Sequence, residues 1–322
     1  MKKALEVVKG FNPIFWFLLG YIILCVILIP NFFNPHNVRN ILAQISVLVT
    51  VACGVHFAVL NGGVDFSATS VIALAGVIGA SIMSEAGGAL AGTWYAVPVA
   101  IVVMLLIGLL FGLINGLSII VFKMPSFIVT MAMQMIGVGL ALLYTRGQTI
   151  SALPASFTLL GTGRIGIIPF ATIFALMVLF IAHNILSRTR LGREIYAIGT
   201  NPKTASISGI PVKKTIIKIF VISGLCAACA GIIMIAQMES AAPGFASGMF
   251  INIMASIIIG GTSPFGGRGK IMNTFMGVCL ITLITVSMNM LGMRWFIINV
   301  IKGSIILIAA SIDLVWQSKV KA

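Results

Sequence analysis

An all-α polytopic membrane protein, with about ten transmembrane helices, is the fold class that three observations predict. The 322 residues are 60% hydrophobic and only 8% charged, against roughly 25% charged in a soluble domain. The apolar residues come in long runs, and about 20 of them cross a bilayer as a helix, which satisfies its own backbone hydrogen bonds where lipid offers none. The basic residues collect in alternate connections between those runs, as cytoplasmic loops do.

Taken in order, the runs and their breakers place helices at Ile14 to Ile29, Ile41 to Leu60, Ser67 to Ser84, Ala96 to Phe122 and Phe127 to Tyr144. The second half follows with Ile167 to Leu186, Thr215 to Ala236, Phe250 to Ile259, Ile271 to Leu291 and Trp295 to Val315. The first run follows Lys2, Lys3 and Lys9 like a signal peptide, but no small-residue cleavage site follows it, so it reads as a retained span. The eighth is too short to cross alone. Gly108, Gly112 and Gly116 recur at four-residue spacing in the fourth, with Gly137 in the fifth, and mark close helix packing.

With the N-terminus inside, the cytoplasmic side receives Lys2, Lys3, Lys9, Lys123, Arg188, Arg190, Arg193, Lys203, Lys213, Lys214, Lys218, Arg268, Lys270, Lys319 and Lys321. The outer side receives Arg39, Arg146, Arg164 and Arg294, and Lys302 is left inside the last span. Fifteen against four implies an even number of spans with both termini cytoplasmic. The +14 net charge is then topology. A nucleic-acid partner would need one basic soluble face with stacking aromatics, and these charges are scattered over separate loops.

Cysteine chemistry is not indicated. Cys25, Cys53, Cys226, Cys229 and Cys279 lie in apolar stretches, and the Cys226-x-x-Cys229 pair has no second pair or histidine beside it. His36 and His183 fit no metal spacing, and no histidine pair with a carboxylate, Cys–His dyad or nucleophile elbow supports an enzyme.

The longest cytoplasmic loop, residues 187–214, carries most information. Arg193 to Ile198 can form a helical turn or more that Gly199 ends, and Asn201-Pro202 can start a second short helix running to Ser208, stopped by Gly209 and Pro211. That helix carries Ala205 and Ile207 amid polar residues, and an apolar face projecting into water needs a cover. A solvated positive loop is the alternative.

Two glycine-rich breaks interrupt the apolar pattern. The first, Asn61-Gly-Gly-Val-Asp-Phe-Ser-Ala-Thr-Ser70, sets a carboxylate between apolar helices. Asp65 lies where it can cap the next helix and meet its positive end, or contact a solute directly. The second, Gly260-Gly-Thr-Ser-Pro-Phe-Gly-Gly-Arg-Gly-Lys270, ends in Gly-Lys but lacks Walker A spacing, with Pro264 five residues before Gly269 and Ile271 where Ser or Thr would bind magnesium. Each contains a Gly-Gly pair followed by Phe, which hints at a diverged internal repeat. Polar residues within spans mark a route for a hydrophilic solute: Gln44, His56, Asn115, Gln134, Asn252, Asn273, Thr282, Thr285, Asn289 and Asn299, with Phe250 as a candidate aromatic face.

The loop resembles the ATPase-docking loop of the ribose-type ABC permeases, a branch of the larger family that includes branched-chain amino acid permeases. The matching residues are Thr189-Arg-Leu-Gly-Arg193, Tyr196-Ala-Ile-Gly199, Asn201, and Ala205 to Ile210 around Ser208-Gly-Ile210. The first break resembles that family's Gly-Gly-x-Asp-x-Ser element, with Phe66 and Ala68 departing from its commonest form, and the second break also resembles a family element. The resemblance runs over nearly the whole chain. It implies one transmembrane permease domain over residues 1–322, with 187–214 presenting a coupling helix to a nucleotide-binding subunit. It names Gly192, Arg193, Tyr196, Gly199, Asn201, Ala205, Ser208 and Gly209 as the docking surface. Asn61, Gly62, Gly63, Asp65, Ser67, Asn252, Gly260, Gly261 and Thr262 become the translocation and gating candidates.

The same resemblance implies a bacterial inner-membrane importer for a ribose-like monosaccharide, working with a cytosolic ABC ATPase, an external substrate-binding protein, and a second permease copy, identical or paralogous. No cofactor belongs to this chain, and hydrolysis is the ATPase partner's. A self-contained secondary transporter or channel is the competing expectation. It would need a membrane-embedded carboxylate for ion coupling, whereas Glu6, Asp65, Glu85, Glu194, Glu239 and Asp313 fall near span ends or in loops.

Overall fold

The computed structural model describes residues 13–305 and 307. Lys2, Lys3, Glu6, Lys9, Asp313, Lys319, Lys321 and the end of the tenth expected span lie outside the described residues. In chain order the helices are α1 (Pro13–Leu28), α2 (Pro35–Leu60), α3 (Ala68–Met83), α4 (Ala96–Val121), α5 (Ser126–Thr145) and α6 (Ala155–Thr162). A two-stranded hairpin, β1 (Arg164–Ile165) and β2 (Ile168–Pro169), is followed by α7 (Phe170–Arg188), α8 (Arg190–Thr200), α9 (Pro202–Ile207), α10 (Val212–Met238), α11 (Met249–Ile259) and α12 (Ile271–Met290). The described part of α13 is Trp295–Ile305.

Six of these, α2, α4, α5, α7, α10 and α12, are long and apolar enough to cross a membrane; α1, α3, α11 and the described part of α13 are shorter apolar helices. Each coincides with one of the ten expected runs. Several boundaries differ from the expected ones for local reasons. The second helix begins at Pro35, six residues before Ile41, because Pro35 opens it and the Asn34 side chain accepts the His36 N–H. The sixth run begins late, at Phe170, because Ile167 belongs to the hairpin turn and Ile168 to β2, where Ile168 pairs with Ile165.

The bundle is built around α2, enclosed on all sides from Ser46 to Leu60. It packs on α10, α7 and α12, while α10 in turn packs on α4 and α3. The glycine stripe of α4 lies at the closest of these contacts: a Cβ at Gly112 would meet the Phe220 carbonyl and a Cβ at Gly116 would meet the Ile217 backbone. Small residues there let the two backbones touch. The outer faces of α4, α5 and α7 carry exposed large apolar side chains, among them Leu143, Met135 and Phe180, a surface suited to lipid and not to water. A satellite cluster of Cys25, Ile29 and Phe32 against Leu283 and Val286 seats α1 on α12.

Candidate functional site: a glycine junction, a projecting helix and a cavity

The two glycine-rich breaks meet. Gly267 donates its backbone N–H to the Leu60 carbonyl at 2.8 Å, and a Cβ at Gly266 would stand 2.6 Å from the Gly62 nitrogen and 3.0 Å from the Gly199 carbonyl. Gly62, Gly266 and Gly267 hold positive φ of 78°, 88° and 71°, a region open to glycine at no steric cost. The C-terminal turn of α8 closes the third side. Tyr196 donates its hydroxyl to the Gly269 carbonyl at 2.7 Å, and burial pushes the phenol above its ordinary range, keeping it a donor. Gly199 does not end α8 as expected. The helix runs on to Thr200, and the residue is small because a side chain there would collide with the Leu60 carbonyl and the Gly267 amide.

Beyond this junction α8 packs on the bundle through Ile195 and Ile198, and α9 lies largely exposed past it. Thr189 caps α8 by accepting the Gly192 N–H, and Glu194 anchors it, taking Arg190 Nε at 2.8 Å and the Thr215 hydroxyl at 2.8 Å. Asn201 then caps α9, its Oδ1 accepting the N–H groups of Lys203 and Thr204 behind Pro202. Gly209, at φ +80°, closes the helix by donating to the Ser206 carbonyl while Ile210 donates to Ala205. Six residues capped at both ends make a short knob.

The eight expected docking residues divide. Arg193, Asn201, Ser208 and Gly209 are exposed; Gly192 and Ala205 are buried, and Tyr196 and Gly199 face the glycine junction. Of the latter four, Gly192 and Ala205 are closed off from solvent, whereas Tyr196 and Gly199 stay partly exposed beside the junction. Ala205 and Ile207 cannot share a face, being two residues apart on a 3.6-residue turn. Ala205 packs inward while Ile207 is 88% exposed at the tip. Ile207 was visible in the sequence as an apolar residue in a polar helix, yet was not counted among the docking residues.

The translocation candidates also divide. Asp65 is buried with its acceptors filled: Oδ1 takes the Ser67 N–H at 3.0 Å and the Ser67 hydroxyl at 2.6 Å, and Oδ2 takes the Ser223 hydroxyl at 2.6 Å. Asn115 donates to the Ser67 hydroxyl at 2.8 Å. Asp65 is therefore the structural carboxylate that fastens the start of α3 to α4 and α10. Asn61 caps the end of α2, Gly260 that of α11. Thr262 lies in a buried cluster with Thr274, whose hydroxyl is 2.9 Å from His56 Nδ1. With Gly62, Gly63, Ser67 and Gly261, these belong to the junction and the roots of the helices, and none lines the cavity described next.

That cavity, of about 180 Å³, lies between α2, α10, α11 and α12. Asn252 lines it, together with Gln44, Thr282 and Thr285, so four of the polar residues singled out within spans converge. Gln237 joins them, donating also to the Ala43 carbonyl at 3.2 Å; it was missed because it stands one residue past the expected end of its span. Val47, Leu48, Met234 and Ile281 supply apolar wall. Behind it, Lys302, only 4% exposed, donates to Asn252 Oδ1 at 3.0 Å. Phe250 is not part of the lining and stacks on Phe66 with centroids 4.1 Å apart. His56, Asn115 and Gln134 serve contacts between helices. Among the described residues no group of three or more His, Cys, Asp or Glu side chains could hold a metal ion.

The family model described as "Branched-chain amino acid transport system / permease component" matches residues 37–310. The chain is 38% identical over 295 residues to the ribose import permease protein RbsC of Bacillus subtilis, covering 91% of this chain and 89% of that protein. It is 33% identical to the RbsC of Escherichia coli K12, over 88% and 87% of the two chains. It is 34% identical to the D-allose transport system permease protein AlsC of Escherichia coli K12, over 95% and 94%. No solved structure matches it.

Proposed function

Because the chain belongs to the branched-chain amino acid transport system / permease component family, we propose that it is the membrane-spanning subunit of an ATP-driven importer for a monosaccharide. Relatives over nearly the full length are named for ribose, allose and arabinose, and the cavity offers amide and hydroxyl groups beside apolar wall, the pairing a sugar requires. The solute would be delivered by an external binding protein and pass between two permease copies, identical or paralogous. A cytosolic ABC ATPase would dock beneath. Both termini would lie in the cytoplasm, a reading supported by the charge asymmetry of the loops, and the bacterial relatives support a place in the inner membrane.

One observation carries this reading: a capped six-residue helix presents Ile207 to solvent from a base braced on both glycine breaks. An apolar knob so held is suited to a socket on a soluble partner, whose movement it would pass to the roots of α2, α11 and α12. A self-sufficient, ion-coupled carrier fits less well, because the residues lining the cavity include no carboxylate and Asp65 is consumed by hydrogen bonds elsewhere.

The test is co-purification and uptake. The tagged chain expressed with its neighbouring ATPase should retain that ATPase in mild detergent, and reconstituted vesicles should concentrate sugar only when the ATPase, ATP and binding protein are present. Concentrative uptake by the chain alone would overturn the assignment.

A further inference from the structure

Where α8 meets the base of α10, a cavity of about 280 Å³ is lined by Arg190, Leu191, Glu194, Pro211, Lys214 and Lys218. Glu194 is engaged by Arg190 and Thr215. Lys214 and Lys218 stand four residues apart, on one face of α10, and neither has a hydrogen-bond or acidic partner among the described residues. The cavity therefore carries surplus positive charge beside apolar walls.

Its depth identifies what would fill it. Met238, at the far end of α10, lies twenty residues beyond Lys218 with no charged residue between, and at 1.5 Å per residue that is about 30 Å, the thickness of the hydrocarbon layer. Lys218 thus stands at the edge of the hydrocarbon, with Lys214 one turn farther out. The neighbouring span α7, 19 residues long, ends at Arg188 and delivers Arg190 to the same level. A soluble subunit seated on Ile207 would meet the chain farther from the bilayer than this ring of charge. Phosphate diesters of lipid headgroups occupy this level, and basic pockets between helices on the cytoplasmic side select the anionic ones.

We propose that the Arg190–Lys214–Lys218 cavity is a binding site for the phosphate of an anionic phospholipid headgroup in the cytoplasmic leaflet. The inference rests on the membrane orientation argued above and not on the transported solute, so it can fail while the transport reading stands, and the reverse. Lys214 and Lys218 would clasp the phosphate, Leu191 and Pro211 would lie along the glycerol and upper acyl region, and Glu194, held by Arg190 and Thr215, would form the cavity floor.

The full chain, purified in mild detergent and mixed with phosphatidylglycerol or phosphatidylcholine, should retain phosphatidylglycerol in native mass spectra and show a higher unfolding temperature with it. K214Q/K218Q should bind it at least tenfold more weakly and lose the thermal shift. K214R/K218R should restore both, and K213Q, which removes one exposed charge outside the cavity, should match the wild type. The proposal is overturned by any of four results: equal retention by wild type and K214Q/K218Q, an equal loss in K213Q, full displacement of the lipid by millimolar inorganic phosphate, which would make the site one for free phosphate, or loss of ATPase association in K214Q/K218Q with lipid retention intact, which would assign the charges to the partner.

Discussion

The Tyr196 hydroxyl donates to the Gly269 carbonyl at 2.7 Å across 73 positions of sequence, joining the base of the projecting helices to the second glycine break. Y196F should cost about 0.5–1.5 kcal/mol, the net worth of one such bond, in thermal or denaturant unfolding, with a larger fractional loss of ATP-dependent uptake than of folded protein. The folded phenol resists ionisation beyond its ordinary value of 10.0. This contribution should therefore be constant below about pH 10 and fade above it, where the unfolded chain binds fewer protons than the folded one.

Gly199 faces the Leu60 carbonyl and the Gly267 amide with no room for a methyl group. G199A should destabilise the chain by about 1–3 kcal/mol, the usual cost of overpacking, although alanine is the better helix former. A stabilised variant would show that the junction is looser than described.

Ile207 touches nothing that its removal would disturb, so I207D should leave unfolding within about 0.5 kcal/mol of wild type. ATPase retention on affinity resin should nevertheless fall at least tenfold, the signature of a buried anchor at an interface. A205D should do the opposite, lowering folded yield first, because Ala205 faces inward.

Lys302 fixes the Asn252 carbonyl oxygen, and so turns the amide nitrogen away from itself. K302M should raise the sugar concentration giving half-maximal uptake by roughly 5- to 30-fold, equivalent to about 1–2 kcal/mol, and change the maximal rate less. N252A should behave alike, and the double variant should be little worse than either single one because the two act as a pair. Independent effects would separate Asn252 from Lys302.

Replacing Asp65 with Asn leaves one acceptor oxygen where two served three donors. D65N should cost about 1–3 kcal/mol through the donors left unsatisfied, with membrane insertion unchanged and protease resistance of the α3 start reduced.

The helices were legible because hydrocarbon demands about 20 apolar residues in succession, and even the short eighth run appeared as α11. Asp65 was legible as a carboxylate at the start of α3, but its bond to Ser223 on α10 depends on a residue 158 positions away and was not. What stayed hidden depends on which way a side chain turns. Tyr196, Gly199 and Ala205 carry the family pattern of a docking loop, but whether a patterned residue builds a knob or forms its skin is decided by contacts from distant positions such as Leu60 and Gly267. Gly199 looked like a helix stop because glycine serves for stops and for close approach alike. The cavity was half visible: polar residues in spans stand out one by one in the sequence, but nothing in their spacing tells Gln44 and Thr285, which line it, from Asn115 and Gln134, which hold helices together.

At the junction, main chain rests on main chain. Side chains between two moving parts can swing among rotamers and absorb a displacement, whereas a backbone amide bonded to a backbone carbonyl has no rotamers through which to do so. A pull on Ile207 of an ångström would reach Leu60 and Gly267 little diminished, as it would through a crank keyed to two shafts. Stroke length at the far end of the bundle would then be set by the lengths of α2 and α12 as levers, so the same knob could drive gates of different width in chains whose helices differ in length.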